Sequence, residues 1–251
     1  LCRDTRVRRA TLGDDGWRID TVGGAAVGAQ VLIDASGRSG RLARSLHTRR
    51  MVFDRLVGVG RTWCGGPSGE HHVLIEAVSD GWWYSAPLPG GGLITLLMTD
   101  ADICRSGRLV DELEWDTRLG RTRLTADRVG SAYPAGPVRS HAANSSRLLR
   151  DDRLPWIAVG DAALAVDPLT GSGVTRALRT AAAASATVAD LLDGDAARGA
   201  AAIELYEHDR NVECHDYLHE RLDFYAAGPD LASPFWLRRR AVVDRRAARS
   251  S

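Results

Sequence analysis

The chain of 251 residues is long enough for one or two domains with a sizeable buried core. Its 33 basic and 32 acidic residues leave a net charge of +1, which gives no bulk attraction for nucleic acid or membrane surfaces. No apolar run is long enough to span a membrane and no signal-peptide pattern opens the chain, so a cytoplasmic protein is expected. Every basic residue is arginine. The cysteines, Cys2, Cys64, Cys104 and Cys214, are scattered without a CxxC pair. That argues for a reducing compartment and against a zinc site or a disulfide framework.

In chain order, residues 6–12 alternate weakly, Gly13-Asp14-Asp15-Gly16 signals a turn, and 17–22 alternate again. Gly23-Gly24 marks a second turn. Residues 29–35 then read as a more apolar strand that ends in Asp34-Ala35-Ser36-Gly37. Three strands with tight turns suit a meander crossing a dinucleotide-binding sheet. The arginine-rich stretch 41–54 reads as helix or loop. Segments 56–63 and 72–78 read as strands, followed by an aromatic strand through Trp82-Trp83-Tyr84 and a return strand over 93–99. Alternation puts Trp82 and Tyr84 on one face and Trp83 on the other. The aromatics suit the wall of a planar-substrate pocket, and equally a sheet packed on a helix layer. Residues 109–119 are a plausible helix, and 132–142, with Pro134, Gly136 and Pro137, an irregular edge strand. Arg150-Asp151-Asp152-Arg153 is a polar turn.

The segment 154–192 organises the rest. Trp156-Ile157-Ala158-Val159 reads as a buried parallel strand, Gly160-Asp161 lie at its carboxyl end, and a loop through Asp167-Pro168-Leu169 and Thr170-Gly171-Ser172-Gly173 leads into an alanine-rich helix near Val174. Ligands of open α/β sheets sit beyond the carboxyl ends of strands. Asp161 offers a short carboxylate there, and the helix amino terminus offers N–H groups and a partial positive charge. Ser172 is placed to cap that helix. Val174, Leu178, Ala181, Ser185, Val188 and Leu192 share one helix face, and Gly194 ends the helix. A second helix covers about 198–227. His208, His215 and His219 fall near one face of it, among acidic neighbours that mark a solvated surface, not a metal site. Pro234-Phe235-Trp236 docks a final helix, and the arginines from Arg238 to Arg249 read as its solvated end.

The run GDAALAVDPLTGSGV, from Gly160 to Val174, resembles the second FAD motif of flavoprotein monooxygenases with the p-hydroxybenzoate hydroxylase fold. It is most similar to the branch that includes tryptophan-halogenase-like proteins. The resemblance implies that Asp161 binds the ribityl chain of FAD. It places Pro168, Thr170, Gly171, Ser172, Gly173 and Val174 along the flavin pyrimidine edge. VLIDASGRSGRLAR also resembles this family, which places Asp34 and Gly37 near the FAD. The family's GxGxxG pyrophosphate cradle occurs nowhere in the chain, so it is expected in a segment upstream of Leu1. Tryptophan halogenases carry Gly-Trp-x-Trp-x-Ile-Pro. The corresponding Gly81, Trp82, Tyr84, Ala86 and Pro87 depart from it twice, which argues against halogenation.

The implied fold is α/β. It comprises an FAD-binding Rossmann-like domain of the p-hydroxybenzoate hydroxylase type, incomplete at its N-terminus, an antiparallel β-sheet substrate domain, and C-terminal helices. The expected boundaries are 1–45 and 151–195 for the FAD domain, 46–150 for the sheet and 196–251 for the helices. The implied function is an FAD-dependent oxidoreductase, a monooxygenase with NAD(P)H as reductant. Its substrate is an aromatic small molecule or a residue of a partner protein, met by Trp82, Trp83 and Tyr84. The alternatives are an isoprenoid-type flavin reductase, a halogenase, and a non-catalytic relative that has lost FAD. Arg38, Arg61, His72 and His141 are polar candidates for the site, with nothing in the sequence to choose a catalytic group among them.

Overall fold

The computed structural model describes residues 2–66, 69, 71–150, 154–229 and 232–247, the stretch 241–247 by its backbone alone. Three antiparallel strands open the chain, β1 (Val7–Gly13), β2 (Gly16–Thr21) and β3 (Ala26–Ala29). The strand expected over 29–35 is two pieces. The meander ends at Ala29, and β4 (Leu32–Asp34) starts anew. Pro155 causes the break. Its carbonyl accepts both the Leu32 N–H (3.1 Å) and the Trp17 indole N–H (2.9 Å), which draws β4 away from β3.

Residues 41–54 form a short helix, α1 (Arg41–Ser45), and a strand, β5 (Arg49–Val52). There follow β6 (Leu56–Cys64), β7 (Leu74–Val78), β8 (Gly81–Leu88) and β9 (Gly92–Asp100), then α2 (Ala101–Ser106), α3 (Glu112–Leu119) and α4 (Leu124–Val129). Short strands β10 (Tyr133–Pro134), β11 (Arg139–Ala142), β12 (Ser146–Leu149), β13 (Trp156–Ala158) and β14 (Leu164–Ala165) precede three helices. These are α5 (Gly173–Leu192), α6 (Ala196–Ala226) and α7 (Pro234–Ala247). The polar turn expected after Arg150 falls on 151–153, outside the described residues.

The chain divides into two compact units. The first is Leu1–Phe53 with Ser145–Leu218. In it β4 and β13 pair in parallel, and β12 pairs with both β5 and β14. Its core gathers Trp17, Leu32, Leu148 and Trp156 with Ala158, Ala162 and Ala163. Helix α5 packs through Thr180, Ala184 and Thr187, and of the predicted apolar stripe Val188 joins them against Ile157, Val159 and Tyr206. Val174, Leu178 and Leu192 on that stripe are exposed. Small side chains allow the helix to approach closely, and Thr180 Oγ1 accepts the Gly160 N–H at 2.8 Å.

The second unit is Asp54–Asn144 with His219–Ser251. Its antiparallel sheet has the order β10-β6-β9-β8-β7, with β11 also on β6. One face carries Val59, Trp63, Trp83, Leu93 and Leu97, packed against Trp115 and Leu119 of α3 and Val129 of α4. Glu76 of β7 holds α4 by accepting from Arg123 N–H (2.8 Å), Thr125 N–H (2.7 Å) and Thr125 Oγ1 (2.7 Å). Near the chain end, Phe235 and Trp236 are buried as expected. Of the arginines that follow them, expected as a solvated end, Arg239 departs from that expectation. Arg239 is buried with Asp100 (Nη2 to Oδ1, 3.0 Å), and Arg238 pairs with Asp100 and Asp102. Arg240 donates to the Pro229 carbonyl, and the remaining arginines of that cluster lie in 241–251, where side chains are not described.

Candidate cofactor site

Strands β4 and β13 run in register, Leu32 beside Trp156, Ile33 beside Ile157 and Asp34 beside Ala158. Their carboxyl ends therefore deliver two turns to one place. The turn after β4 is built by Asp34, which is 3% exposed. Its Oδ1 accepts from Ser36 N–H (3.0 Å) and Oγ (2.6 Å), and its Oδ2 from Ala43 N–H (3.1 Å). The Asp34 carboxylate thus organises the turn and α1. Gly37 follows at φ +65° and opens a tight helical turn, Gly37–Ser39.

The turn after β13 requires glycine. Gly160 has φ +54°, and a Cβ there would lie 3.1 Å from Ala177 Cβ on α5. Asp161 comes next, and its Oδ2 lies 3.2 Å from Arg38 Nε. Arg38 also donates from Nη2 to the Val166 carbonyl. The chain continues through β14 to Asp167, which is fully buried. Asp167 Oδ1 accepts Leu169 N–H at 3.0 Å, and its own N–H donates to Tyr217 Oη at 2.8 Å. Pro168 starts the next helical turn, Gly171 at φ +63° ends it, and α5 begins at Gly173. Ser172 does not cap α5. Its hydroxyl pairs with Thr170 Oγ1 at 2.7 Å, and no side chain caps that helix end.

The result is a cleft of about 440 Å³ bounded by Gly37, Val159, Gly160, Asp161, Gly173 and Val174, among others. It combines a half-exposed carboxylate, glycine backbone that permits close approach, and the electropositive amino end of a 20-residue helix. Such a site suits a polyhydroxylated ligand with an edge that gains negative charge. Asp161, Gly173, Val174 and Gly37 line it directly, whereas Asp34 supports it from behind. Arg38, left undecided in the sequence, and Asp167, Thr180 and Tyr217 are the participants that sequence reasoning did not select.

In the second unit, sheet register sorts the aromatics. Trp83 lies opposite Leu97 on the helix-covered face, and its ring meets Trp115 at 5.1 Å between centroids. Trp82 lies opposite Met98 on the other face, buried, with its indole N–H on Tyr225 Oη at 3.2 Å. Tyr84, opposite Leu96 and Ile75, shares that second face and stays half-buried. Arg61 is excluded as an exposed site group: it is buried against Trp63 and Trp115 and paired with Asp116 at 2.7 Å. His141, opposite Gly58, is exposed on the Tyr84 face. Among the described residues no group of three or more His, Cys, Asp or Glu could hold a metal ion. No described helix is long and apolar enough to cross a membrane.

No family model matches the chain. It is 32% identical over 190 residues to a putative FAD-dependent oxidoreductase, LodB of Marinomonas mediterranea, an alignment covering 72% of this chain and 50% of LodB. Among solved structures, the flavin-dependent halogenase CmlS superposes with a TM-score of 0.81 at 23% identity, over 94% of this chain and 45% of CmlS. The chain is similar in sequence to FAD-dependent oxidoreductases and tryptophan halogenases, and shares the fold of flavin-dependent halogenases. A further member of this group of folds is the peptidyl tryptophan dihydroxylase QhpG, with a TM-score of 0.68 at 27% identity, over 94% of this chain and 54% of QhpG. The chain spans about half the length of these FAD-dependent relatives.

Proposed function

We propose that residues 1–251 form part of an FAD-dependent monooxygenase acting on an aromatic small molecule or an aromatic residue of a partner protein. The observation that carries this is the cleft at the ends of β4 and β13, where Asp161, the glycine turns and the amino end of α5 converge. Asp161 would accept hydrogen bonds from ribityl hydroxyls. The backbone N–H groups at Gly173 and Val174 would meet the pyrimidine edge, where the helix dipole favours negative charge. Bound FAD would supply the redox and oxygen chemistry, with NAD(P)H as the reductant. The chain's own contribution is to bind, orient and exclude water. The pyrophosphate cradle, absent from this sequence, would come from elsewhere in the polypeptide.

On the sheet unit, Tyr84, Ile94 and Leu96 form a half-buried apolar surface suited to a planar substrate. Trp82 and Trp83 would support that surface from within the core. The hydroxylation of a tryptophan residue named for QhpG fits such a surface, and so does the halogenation named for CmlS. Halide-dependent product formation distinguishes the two.

The test is FAD titration of the full-length protein and its Asp161→Ala variant. Loss of a charge-assisted hydrogen bond costs about 1.5–3 kcal/mol, so the dissociation constant should rise about tenfold to a hundredfold. An unchanged constant overturns the assignment of Asp161. Absence of flavin absorbance from the purified protein would favour a non-catalytic relative.

A further inference from the structure

We propose that Arg38 is a positioning residue for this cofactor site, tying the Asp161 carboxylate to the loop before α5 so that both meet the ligand as one preformed frame. The inference rests on the FAD reading of the cleft. Three chain segments converge on the Arg38 guanidinium. Its own turn is fixed at the end of β4 by the Asp34 hydrogen bonds and by two glycines, Gly37 at φ +65° and Gly40 at φ +49°. Nε then pairs with Asp161 Oδ2 at 3.2 Å, after β13. Nη2 donates to the carbonyl of Val166, one residue before the buried Asp167 that shapes the loop into α5.

The chemistry of the side chain matters. A guanidinium is a planar fork with separate donors, so it can hold a carboxylate and a carbonyl at once in fixed relative geometry. An ammonium is a point charge on a flexible stem. Arg38 engages Asp161 Oδ2, while the Asp161 side chain stays 32% exposed and lines the cleft. The same carboxylate can therefore be oriented by Arg38 and still meet a ligand hydroxyl.

Exposure separates this role from a merely structural one. The Arg38 side chain is 26% exposed and that of Asp161 32%, so water screens the pair and its contribution to folding is small. Its effect belongs to binding instead. Without Arg38, the Asp161 side chain and the adjoining loop must be ordered by the ligand itself. Ordering one or two flexible groups weakens an association about three- to tenfold.

The experiment is a double-mutant cycle in the full-length protein, with FAD as the probe. Arg38→Gln, Asp161→Asn, Arg38→Lys and the Arg38→Gln/Asp161→Asn double variant are compared by FAD dissociation constant, apo-protein Tm and the visible circular dichroism of the bound flavin. Arg38→Gln is expected to weaken FAD about three- to tenfold and to alter the flavin dichroism, with the apo Tm unchanged within about 2 °C. The double variant should lose less than the product of the two single losses, because the part of the Arg38 effect that runs through Asp161 is already gone and only its tie to the Val166 loop remains. Arg38→Lys should recover only part of the loss. Multiplicative losses in the double variant overturn the proposal. So does an unaltered FAD constant in Arg38→Gln while Asp161→Asn is weakened. A fall in apo Tm, or failure of Arg38→Gln to fold, assigns Arg38 to structure and overturns it as well. If Asp161→Asn itself binds FAD as tightly as the parent, the cofactor reading of the cleft fails, a result separate from the others.

Discussion

Substituting Gly160 by alanine tests how the cleft is built. The residue sits at φ +54°, and its Cβ would stand 3.1 Å from Ala177 Cβ. The left-handed conformation costs a non-glycine residue about 1–2 kcal/mol. The contact adds to that, because carbon atoms prefer about 3.5–4.0 Å and the helix must yield by several tenths of an ångström. The sum is about 2–3 kcal/mol, a sizeable share of a domain's typical stability of about 5–15 kcal/mol. The contact is borne by α5, whose amino end lines the cleft, so relaxation should also weaken FAD binding. Ala177→Gly separates the two contributions. It removes the opposing Cβ at a cost of about 1 kcal/mol for glycine in a helix. The double variant should therefore be less destabilised than the sum of the singles, by about 1 kcal/mol. Urea denaturation of the four proteins, each with and without FAD, gives every quantity needed. A cost below about 0.5 kcal/mol for Gly160→Ala, or strict additivity in the double, would refute the packing argument.

Other expectations concern the sheet unit. Trp82→Leu empties part of a buried aromatic site and breaks the bond to Tyr225, so it should cost about 2–4 kcal/mol in denaturation with activity per folded molecule retained. Tyr84→Leu should leave the unfolding midpoint in place and weaken binding of an aromatic substrate, and the reverse pattern for the two variants would reject this placement. Asp100→Asn leaves the buried Arg239 guanidinium without its counter-charge, with an expected loss of about 3–5 kcal/mol and faster hydrogen exchange in α7, and intact exchange protection there would contradict it. Burial raises the Glu76 carboxyl's proton affinity, but hydrogen bonds from Thr125 and Arg123 outweigh that and set its pKa below the ordinary value. A depressed carboxylate stabilises above its unfolded pKa of about 4.3 and loses that contribution as pH falls through the lower folded value. The stability gap between the parent and Glu76→Gln should accordingly close on acidification below about pH 4, and a gap constant from pH 7 to 3 would contradict the reasoning.

The cofactor motif was legible because its parts are consecutive. A buried apolar strand, Gly160, Asp161, a proline-glycine loop and a helix follow one another within 40 residues, and β13, the Gly171 turn and α5 appear where expected. The contacts that position Asp161 were not legible. Arg38 is 123 residues away in sequence and is one arginine among many. β5 was hidden for a related reason. Arg49 and Arg50 are not strand signals, yet Arg50 donates to Ser146 Oγ and to the Ala162 carbonyl across the β12 pairing. Its burial lowers the guanidinium's pKa, a cost that local pattern cannot reveal. The α5 face misled in the opposite direction. Val174, Leu178 and Leu192 of the apolar stripe obey helical period but are exposed, while threonine and alanine, with Val188, make the contact. Close approach selects small side chains, and a hydroxyl that can take the Gly160 N–H adds a specific bond.

The aromatic strand shows where alternation stops being informative. Alternation assigns Trp82 and Trp83 to opposite faces, and the register with β9 places them so. An exposed substrate wall would require one of those faces to be open at that point, yet both indoles are 1% exposed. The sheet is covered twice near Gly81. Helix α3 brings Trp115 to one face, and Tyr225, with Phe235 and Trp236 around it, closes the other. The second cover comes from residues more than 130 positions downstream, so no local pattern could locate it. It ends before Tyr84, whose neighbours across the strands, Leu96 and Ile75, remain partly exposed. Face membership is a property of period and is readable in the sequence. Exposure is a property of what lies above the face. On this sheet the change from core to binding surface therefore falls between two residues of the same face, Trp82 and Tyr84.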